Sequence, residues 1–241
     1  MSHSTDDGDL NDDMKQSTLA KQFGCAVTLI APGVVMKWGS RVRPSEPEAM
    51  RLVQEHAPSV PLPTIYASWF GFSRDVAIGK LFMSFVPGER LDFYWDSFTD
   101  SAKERICHDI WGLVAKIRTI PCPAGLQDKF CCAADGSPSL DPLLGAGNDP
   151  CPPIHDDTSL RNQIFARYVR HNGLSYADGK NLPCILPRSD KSVFTHGDVA
   201  PRNIMVDKSG QILGLLDWEM AGWYPEYWEY ANIMSPSRDH D

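Results

Sequence analysis

Apolar residues in this chain come first in short runs broken by turn chemistry, then at helical spacing. Cys25–Ile30 and Val34–Trp38 read as strands around the turn Ala31-Pro32-Gly33, and Thr64–Phe70 and Lys80–Val86 as two more. Between these pairs, Ser45 to about Glu55 or His56 reads as a helix, with Ser45 as its cap and Pro47 suited to its first turn. Thr99 or Asp100 to about Ile120 is a longer helix that puts Ile106, Ile110, Leu113, Val114 and Ile117 on one face. Residues 121–158 are rich in proline and glycine and read as loop, and Leu160 to about His171 as a further helix. The last pattern is a hairpin: Ile204-Met205-Val206, the turn Asp207-Lys208-Ser209-Gly210, then Gln211–Leu216.

Length and charge narrow the classes. A chain of 241 residues can bury a full core as one domain or two small lobes. The net charge of −8, with no basic stripe, argues against a nucleic-acid partner and is compatible with a cationic small molecule. No run approaches the ~20 apolar residues of a membrane span. The start of the chain lacks the positive and apolar regions of a secretory signal, so no membrane association is expected. Residues 1–20, with Asp6, Asp7, Asp9, Asp12 and Asp13, read as a disordered acidic tail. The seven cysteines form no C-x-x-C pair or Cys/His metal spacing, which suits reduced thiols in a cytoplasmic protein.

The candidate chemistry gathers at the hairpin. The segment Phe194–Asn203, F-T-H-G-D-V-A-P-R-N, leads into its first arm, and Asp217 ends its second. Asp198 and Asn203 would thus converge with Asp217. Phosphoryl transfer from a nucleotide uses such a set: one carboxylate accepts the proton of the attacking hydroxyl, while an Asn and a second Asp hold Mg²⁺ on the phosphates. Asp198 and Asn203 stand at the Asp-x-x-x-x-Asn spacing of the protein-kinase catalytic loop, with Asp217-Trp218-Glu219 in the place of Asp-Phe-Gly. His196 reads as a structural hydrogen-bonder of the loop. A metal-dependent hydrolase built on His196, Asp198 and Asp217 would lack the H-x-x-x-H or second histidine cluster it needs.

The segment H-G-D-V-A-P-R-N-I-M-V-D…G-L-L-D-W-E resembles the aminoglycoside phosphotransferase and choline kinase family, and A-G-W-Y-P-E-Y-W-E-Y a fungal group within it. The resemblance implies an α+β, two-lobed protein kinase-like fold. Residues 21–86 would form an N-terminal nucleotide-binding lobe with a small antiparallel sheet and one helix. Residues 87–241 would form a mainly helical catalytic lobe, truncated relative to the family. It implies an ATP- and Mg²⁺-dependent kinase acting on a small-molecule hydroxyl. Asp198 would be base or hydroxyl orienter, Asn203 and Asp217 metal ligands, and Lys37, on the third kinase strand, the phosphate-pairing lysine. Glu48 matches the helix glutamate that pairs with this lysine, with Glu55 as runner-up, although Ser45-x-x-Glu48 also spells a capping box. Ser84 C=O and Val86 N–H would hold adenine, with Met83 behind them. No G-x-G-x-x-G precedes Lys37, so the phosphate cover is expected at the short turn between the first strands. The aromatics Trp223, Tyr224, Tyr227, Trp228 and Tyr230 read as packing beneath the site, with Pro225 in a first helical turn. The alternative is a catalytically silent nucleotide-binding or scaffold relative.

Overall fold

The structure, a computed structural model, describes residues 17–22, 24–145, 150–172, 184 and 186–234. Its N-terminal lobe is an antiparallel sheet of β1 (Ser17–Gln22), β2 (Cys25–Ala31), β3 (Val34–Gly39), β4 (Ile65–Ser73) and β5 (Val76–Ser84), in the order β1-β2-β3-β5-β4. Residues 1–16 of the expected tail lie outside the described residues, but 17–20 do not belong to a tail. They pair with β2 in the register Ser17↔Leu29 and Thr18↔Thr28. All six residues of β1 are exposed, so no apolar alternation marks it as a strand. β4 and β5 each run further than their apolar residues suggest. Arg74 and Asp75, at φ 49° and 65°, supply the two left-handed positions of a tight hairpin turn, without the Asn-Gly that usually signals one.

Helix α1 (Ser45–His56) packs Ala49, Met50 and Val53 into the same core as Leu81 of β5. Its start corrects the expected cap. Pro44 holds the N-cap position without a side-chain hydrogen bond, Ser45 is buried inside the first turn, and the Ser45–Glu48 box does not form. β3 ends at Gly39 (φ 145°), where a Cβ would stand 2.1 Å from the Gly24 carbonyl oxygen. Opposite Gly39 in register is Gly79, whose Cβ would stand 2.2 Å from the Val42 carbonyl oxygen. The chain after Lys37 therefore folds back against the sheet at contact distances that exclude a side chain.

The second lobe carries α2 (Leu91–Tyr94), α3 (Asp100–Ile117), α4 (Asp157–Asn172) and α5 (Trp228–Ile233). β6 (Glu89–Arg90), β9 (Ile204–Val206) and β10 (Ile212–Leu215) form one small sheet, in the order β10-β9-β6. β7 (Cys132–Ala133), β8 (Ser192–Thr195) and β11 (Gly222–Pro225) form another, in the order β7-β11-β8. The fold is thus α+β and two-lobed, with the kinase-like arrangement that the resemblance implies. Thr99 caps α3 through its hydroxyl, and Ile106, Val114 and Ile117 of that helix are buried with Phe194, Trp218 and Trp223.

One expectation is refined here and one changes. The described residues of the stretch, 121–145 and 150–158, have mostly irregular backbone, as their prolines and glycines suggest, but they are packed as a strap: Phe130, Cys131, Leu144, Cys151 and Ile154 form a core with Leu160, Tyr224 and Trp228. It closes on itself through the bridges Cys131↔Ile154 and Ser139↔Cys151. Isolated bridges leave no periodicity in the sequence, so the prolines and glycines dominate its reading. Pro225, in turn, ends strand β11 opposite Ser192 instead of opening a helix, and α5 begins three residues later.

Gly39→Ala should therefore lower stability by about 2–4 kcal/mol, well beyond the ~0.4–1 kcal/mol gain that Gly→Ala gives at a permissive position. Urea denaturation reads this directly, and an unchanged midpoint would contradict the close approach of Gly39 to Gly24.

Candidate active site

The β9–β10 hairpin fixes the site. Leu216 N–H donates to the Asn203 carbonyl at 2.8 Å, closing the open end so that Asn203 and Asp217 emerge together. Asp217 then turns through φ 63°, rare for a residue with a Cβ, and Trp218 drops into the core with its Nε1–H on the Leu215 carbonyl at 2.9 Å. The loop before β9 is tied to the same hairpin by His196. The Asp198 N–H donates to His196 Nδ1 at 3.2 Å, which leaves Nε2 to carry the proton and donate to the Leu216 carbonyl at 3.1 Å. Burial pulls the His196 pKa down to about 4, so the ring is neutral and structural.

Asp198 lies at the edge of the hairpin end. Arg202 Nη2 donates to both of its carboxylate oxygens, at 2.7 and 2.8 Å, and Asn203 Nδ2 to one of them at 2.8 Å. The Asn203 amide thus spends its nitrogen on Asp198, which leaves Oδ1 unpartnered among the described residues and turned to other use.

Lys37 is 3 % exposed, and its ammonium lies 2.8 Å from Glu46 Oε1, 2.6 Å from Asp217 Oδ1 and 3.6 Å from Glu219 Oε2. The helix partner is therefore Glu46; Glu48 and Glu55 do not reach the lysine. Glu48 and Glu55 pair on the outer face with the exposed Arg51. The sequence does contain the signal. Glu46 precedes Ala49, Met50 and Val53 by three, four and seven positions, which is the buried face of α1, whereas Glu48 belongs to another. Arg41 adds a second cation, on Glu219 Oε1 at 2.5 Å.

Three carboxylates around two cations cannot all be held low. Burial alone would depress the Lys37 pKa, but Glu46 and Asp217 raise it well above its ordinary value. Burial would raise Asp217, and the adjacent Lys37 ammonium overrides it and holds the carboxyl low. Glu46 and Glu219 take the remaining strain. Burial lifts Glu46 to about 7, and burial with the Asp217 charge lifts Glu219. One oxygen of each, Oε2, is buried without a hydrogen bond.

A further set of residues braces the loop. Glu229 of α5 is buried, and its carboxylate accepts the His196 N–H at 2.7 Å and the Gly197 N–H at 3.1 Å. Burial raises its pKa to about 7. Asn232 donates to the Gly197 carbonyl at 3.0 Å and to Asp141, which also accepts the Trp228 indole N–H at 2.7 Å. Sequence reasoning missed Glu229, Asn232 and Asp141. No motif marks them; only a buried acid on a short aromatic helix does.

Lys37, Asn203, Met205 and Asp217 line one cleft of about 720 Å³, with Arg202 at its rim and Ser84 and Val86 along the strand that leads out of β5. Ser84 Oγ is used within the lobe, accepting the Thr64 N–H, and the Val86 N–H has no protein partner among the described residues. The expected phosphate cover needs correction. Gly33 lies at the Ser84 end, where its carbonyl accepts the Phe85 N–H, while the opposite end of β2, at Gly24 (φ 75°), lies on the Arg41 side. Among the described residues no cluster of His, Cys, Asp and Glu could cage a metal by itself. The donor chemistry nonetheless fits magnesium, which takes one or two carboxylates and fills its remaining positions with phosphate and water oxygens. Asn203 Oδ1 and the Asp217 carboxylate, whose residues both line the cleft, are such hard oxygens.

A family model described as the phosphotransferase enzyme family matches residues 35–240. Comparison with curated proteins finds no match. Among solved structures, the GDP complex of wild-type aminoglycoside 2'-phosphotransferase-IIIa is similar, with a TM-score of 0.62 and 14% identity over 93% of this chain and 72% of that one. A thermostable mutant of aminoglycoside phosphotransferase APH(4)-Ia in apo form is similar at a TM-score of 0.60, with 15% identity over 91% and 71%. A ternary complex of a mutant of that enzyme with AMP-PNP and hygromycin B gives 0.59, with 14% identity over 93% and 72%.

Two outcomes follow from the geometry. Glu46→Gln should weaken nucleotide binding or turnover by about tenfold or more, since the lysine–glutamate pair must be in place. Glu48→Gln and Glu55→Gln should stay within about twofold; calorimetric titration of each variant decides between them. The second concerns pH. With His196 depressed to about 4 when folded against about 6.5 unfolded, its contribution is complete above pH ~6.5 and is lost as pH falls towards 4. The slope is up to about 1.4 kcal/mol per pH unit. His196→Gln should flatten that acid limb of the stability profile, and an unchanged limb would mean that another group sets it.

Proposed function

This chain belongs to the phosphotransferase enzyme family, and from that premise we propose that it transfers the terminal phosphoryl group of ATP to a hydroxyl of a small molecule, as a cytoplasmic kinase. The observation that carries the reading is the convergence of Lys37, Asn203 and Asp217 on one cleft with Asp198 at its edge. The similar structures are described with GDP, AMP-PNP and hygromycin B, which supports a nucleotide in the cleft and a hydroxyl-rich acceptor beside it. The net charge of −8 suits a cationic acceptor.

In this reading the adenine lies along Ser84 to Val86, where the Val86 N–H is available and the backbone around Ser84 supplies an acceptor. Met83 and Val35 line the same pocket. Lys37, fixed by Glu46, presents its charge to the α- and β-phosphates. Asn203 Oδ1 and the Asp217 carboxylate would hold magnesium, which when bound neutralises phosphate charge. Asp198 accepts the hydroxyl hydrogen of the acceptor and aims its oxygen at the γ-phosphorus. A lone pair of that oxygen forms the new O–P bond, and the bond to the β-phosphate oxygen breaks, leaving its pair on ADP. The hydroxyl proton passes to the Asp198 carboxylate and on to solvent. These residues contribute position and charge, the main levers in phosphoryl transfer.

One feature favours the second reading, a nucleotide-binding relative without turnover: the Asp198 carboxylate is already engaged by Arg202 and Asn203. A single series separates the two. Saturating Mg-ATP or Mg-GTP at about a hundred times Kd should stabilise the wild type by about 2.7 kcal/mol. Asp217→Asn should lose most of this stabilisation together with turnover. Asp198→Asn should keep it while turnover over a panel of hydroxyl acceptors falls by about 10²–10⁴-fold. If the wild type shows no stabilisation, the nucleotide reading fails. If it binds but phosphorylates nothing, the silent relative is the better account.

A further inference from the structure

Arg202 lines the cleft, and the site described above leaves its role open. Its side chain is 54% exposed, and its Nη2 bridges both oxygens of Asp198. An exposed pair of this kind adds little to stability, which therefore gives little reason for it. Among the described residues the Nε and Nη1 hydrogens make no hydrogen bond. Three donors of a planar fork are therefore unspent on a group that lines the same cleft as Asn203 and Asp217.

The charges around the reaction centre point the same way. Asp198 must approach a phosphoryl group that is itself negative, and two anions brought together repel. Lys37 does not relieve this, because its ammonium, held by Glu46 and Asp217, serves the α- and β-phosphates in the reading above. Arg90, another arginine of the cleft, has its guanidinium on Asp92 and over the Phe93 ring. No glycine-rich loop supplies backbone donors. Lys21 lines the cleft too, from the exposed strand β1, but among the described residues Arg202 is the cleft-lining cation anchored by one corner on Asp198 with its remaining donors unspent.

We propose that Arg202 is a further catalytic residue, whose free guanidinium edge contacts the terminal phosphoryl group of the nucleotide while its other edge stays on Asp198. This rests on the nucleotide reading above. Bond making and breaking are as already described; Arg202 moves no proton, and supplies hydrogen bonds and positive charge to the oxygens of the phosphoryl group in transit.

The test needs no knowledge of the acceptor. Calorimetry with magnesium and either ADP or AMP-PNP compares nucleotides without and with a terminal phosphoryl group. Arg202→Ala should weaken AMP-PNP by about tenfold or more, the worth of charge-assisted hydrogen bonds, and leave ADP within about twofold. Unchanged ADP binding also reports that the fold is intact. Removing Arg202 exposes the Asp198 charge, so the same substitution is repeated in an Asp198→Asn background. A direct contact predicts the same selective loss there. If the loss disappears in that background, Arg202 only neutralises Asp198 and the contact is refuted. Equal losses of ADP and AMP-PNP would assign it a structural role and likewise overturn the proposal. A wild type that binds ADP but is indifferent to Arg202→Ala removes the proposal and spares the nucleotide reading, whereas a wild type that binds neither nucleotide removes both.

Discussion

The buried ion cluster around Lys37 is the constraint on which the arrangement of the two lobes depends. An ammonium that is 3 % exposed cannot stand without counter-charge, and its partners come from two places. Glu46 comes from α1, and Asp217 and Glu219 from the segment after the distant hairpin, 180 and 182 positions along the chain. The sheet, the helix and the second lobe are therefore tied at one point. Removing one partner of such a group costs more than the pair contributes, because the remaining charge is left buried. The cluster consequently fixes geometry more than it adds stability. Its three carboxylates face two cations, Lys37 and Arg41, and burial lifts two of the three, Glu46 and Glu219, above their ordinary pKa.

The loop that carries Asp198 is held by a different device. Glu229 accepts two consecutive backbone N–H groups, His196 and Gly197, and Asn232 takes the Gly197 carbonyl. Asp141 ties these to the strap between α3 and α4 through Trp228 and Asn232. A loop that must present Asp198 at one angle has few backbone bonds of its own, and the short α5 supplies them. Trp223, Tyr224 and Trp228 of this aromatic-rich segment are buried, as its composition suggests, whereas Tyr230 is exposed instead of packed, and the polar residues of the segment brace the loop.

What could be read from the sequence follows physical pattern. The hairpin, Lys37 in its apolar strand and the long α3 were legible because alternation, turn chemistry and helical spacing mark them directly. The order Asp198, Asn203, Asp217 was legible because a hairpin brings its two ends together whatever surrounds it. Family spacing points to Glu48, whereas the buried face that Ala49, Met50 and Val53 define carries Glu46, and the burial of that face decides which carboxylate meets Lys37. β1 was missed because an edge strand exposed on both faces carries no hydrophobic signature. The strap over 121–158 was read as loop because its order comes from contacts with Tyr224 and Trp228, far away in sequence. Glu229, Asp141 and Asn232 act through backbone groups and leave no motif.

Asp217 shows how these constraints meet. Its φ of 63° is costly for a residue with a Cβ, of the order of 1 kcal/mol, and such a conformation persists only where neighbours over-determine it. Here they do. Leu216 is bonded to Asn203 before it, the Trp218 indole to Leu215, and the Ala221 N–H to the Trp218 carbonyl after it. Trp218 goes down into the core beside the His196 ring, with centroids 4.4 Å apart, and that descent forces the preceding carboxylate up toward Lys37. The left-handed turn at Asp217 is what lets adjacent residues serve opposite ends of the protein, one the core and the other the cleft. A regular strand would alternate them across a sheet face and could not deliver a carboxylate beside Asn203. The strain is therefore the local consequence of placing a candidate metal ligand directly next to one of the largest buried side chains of the lobe.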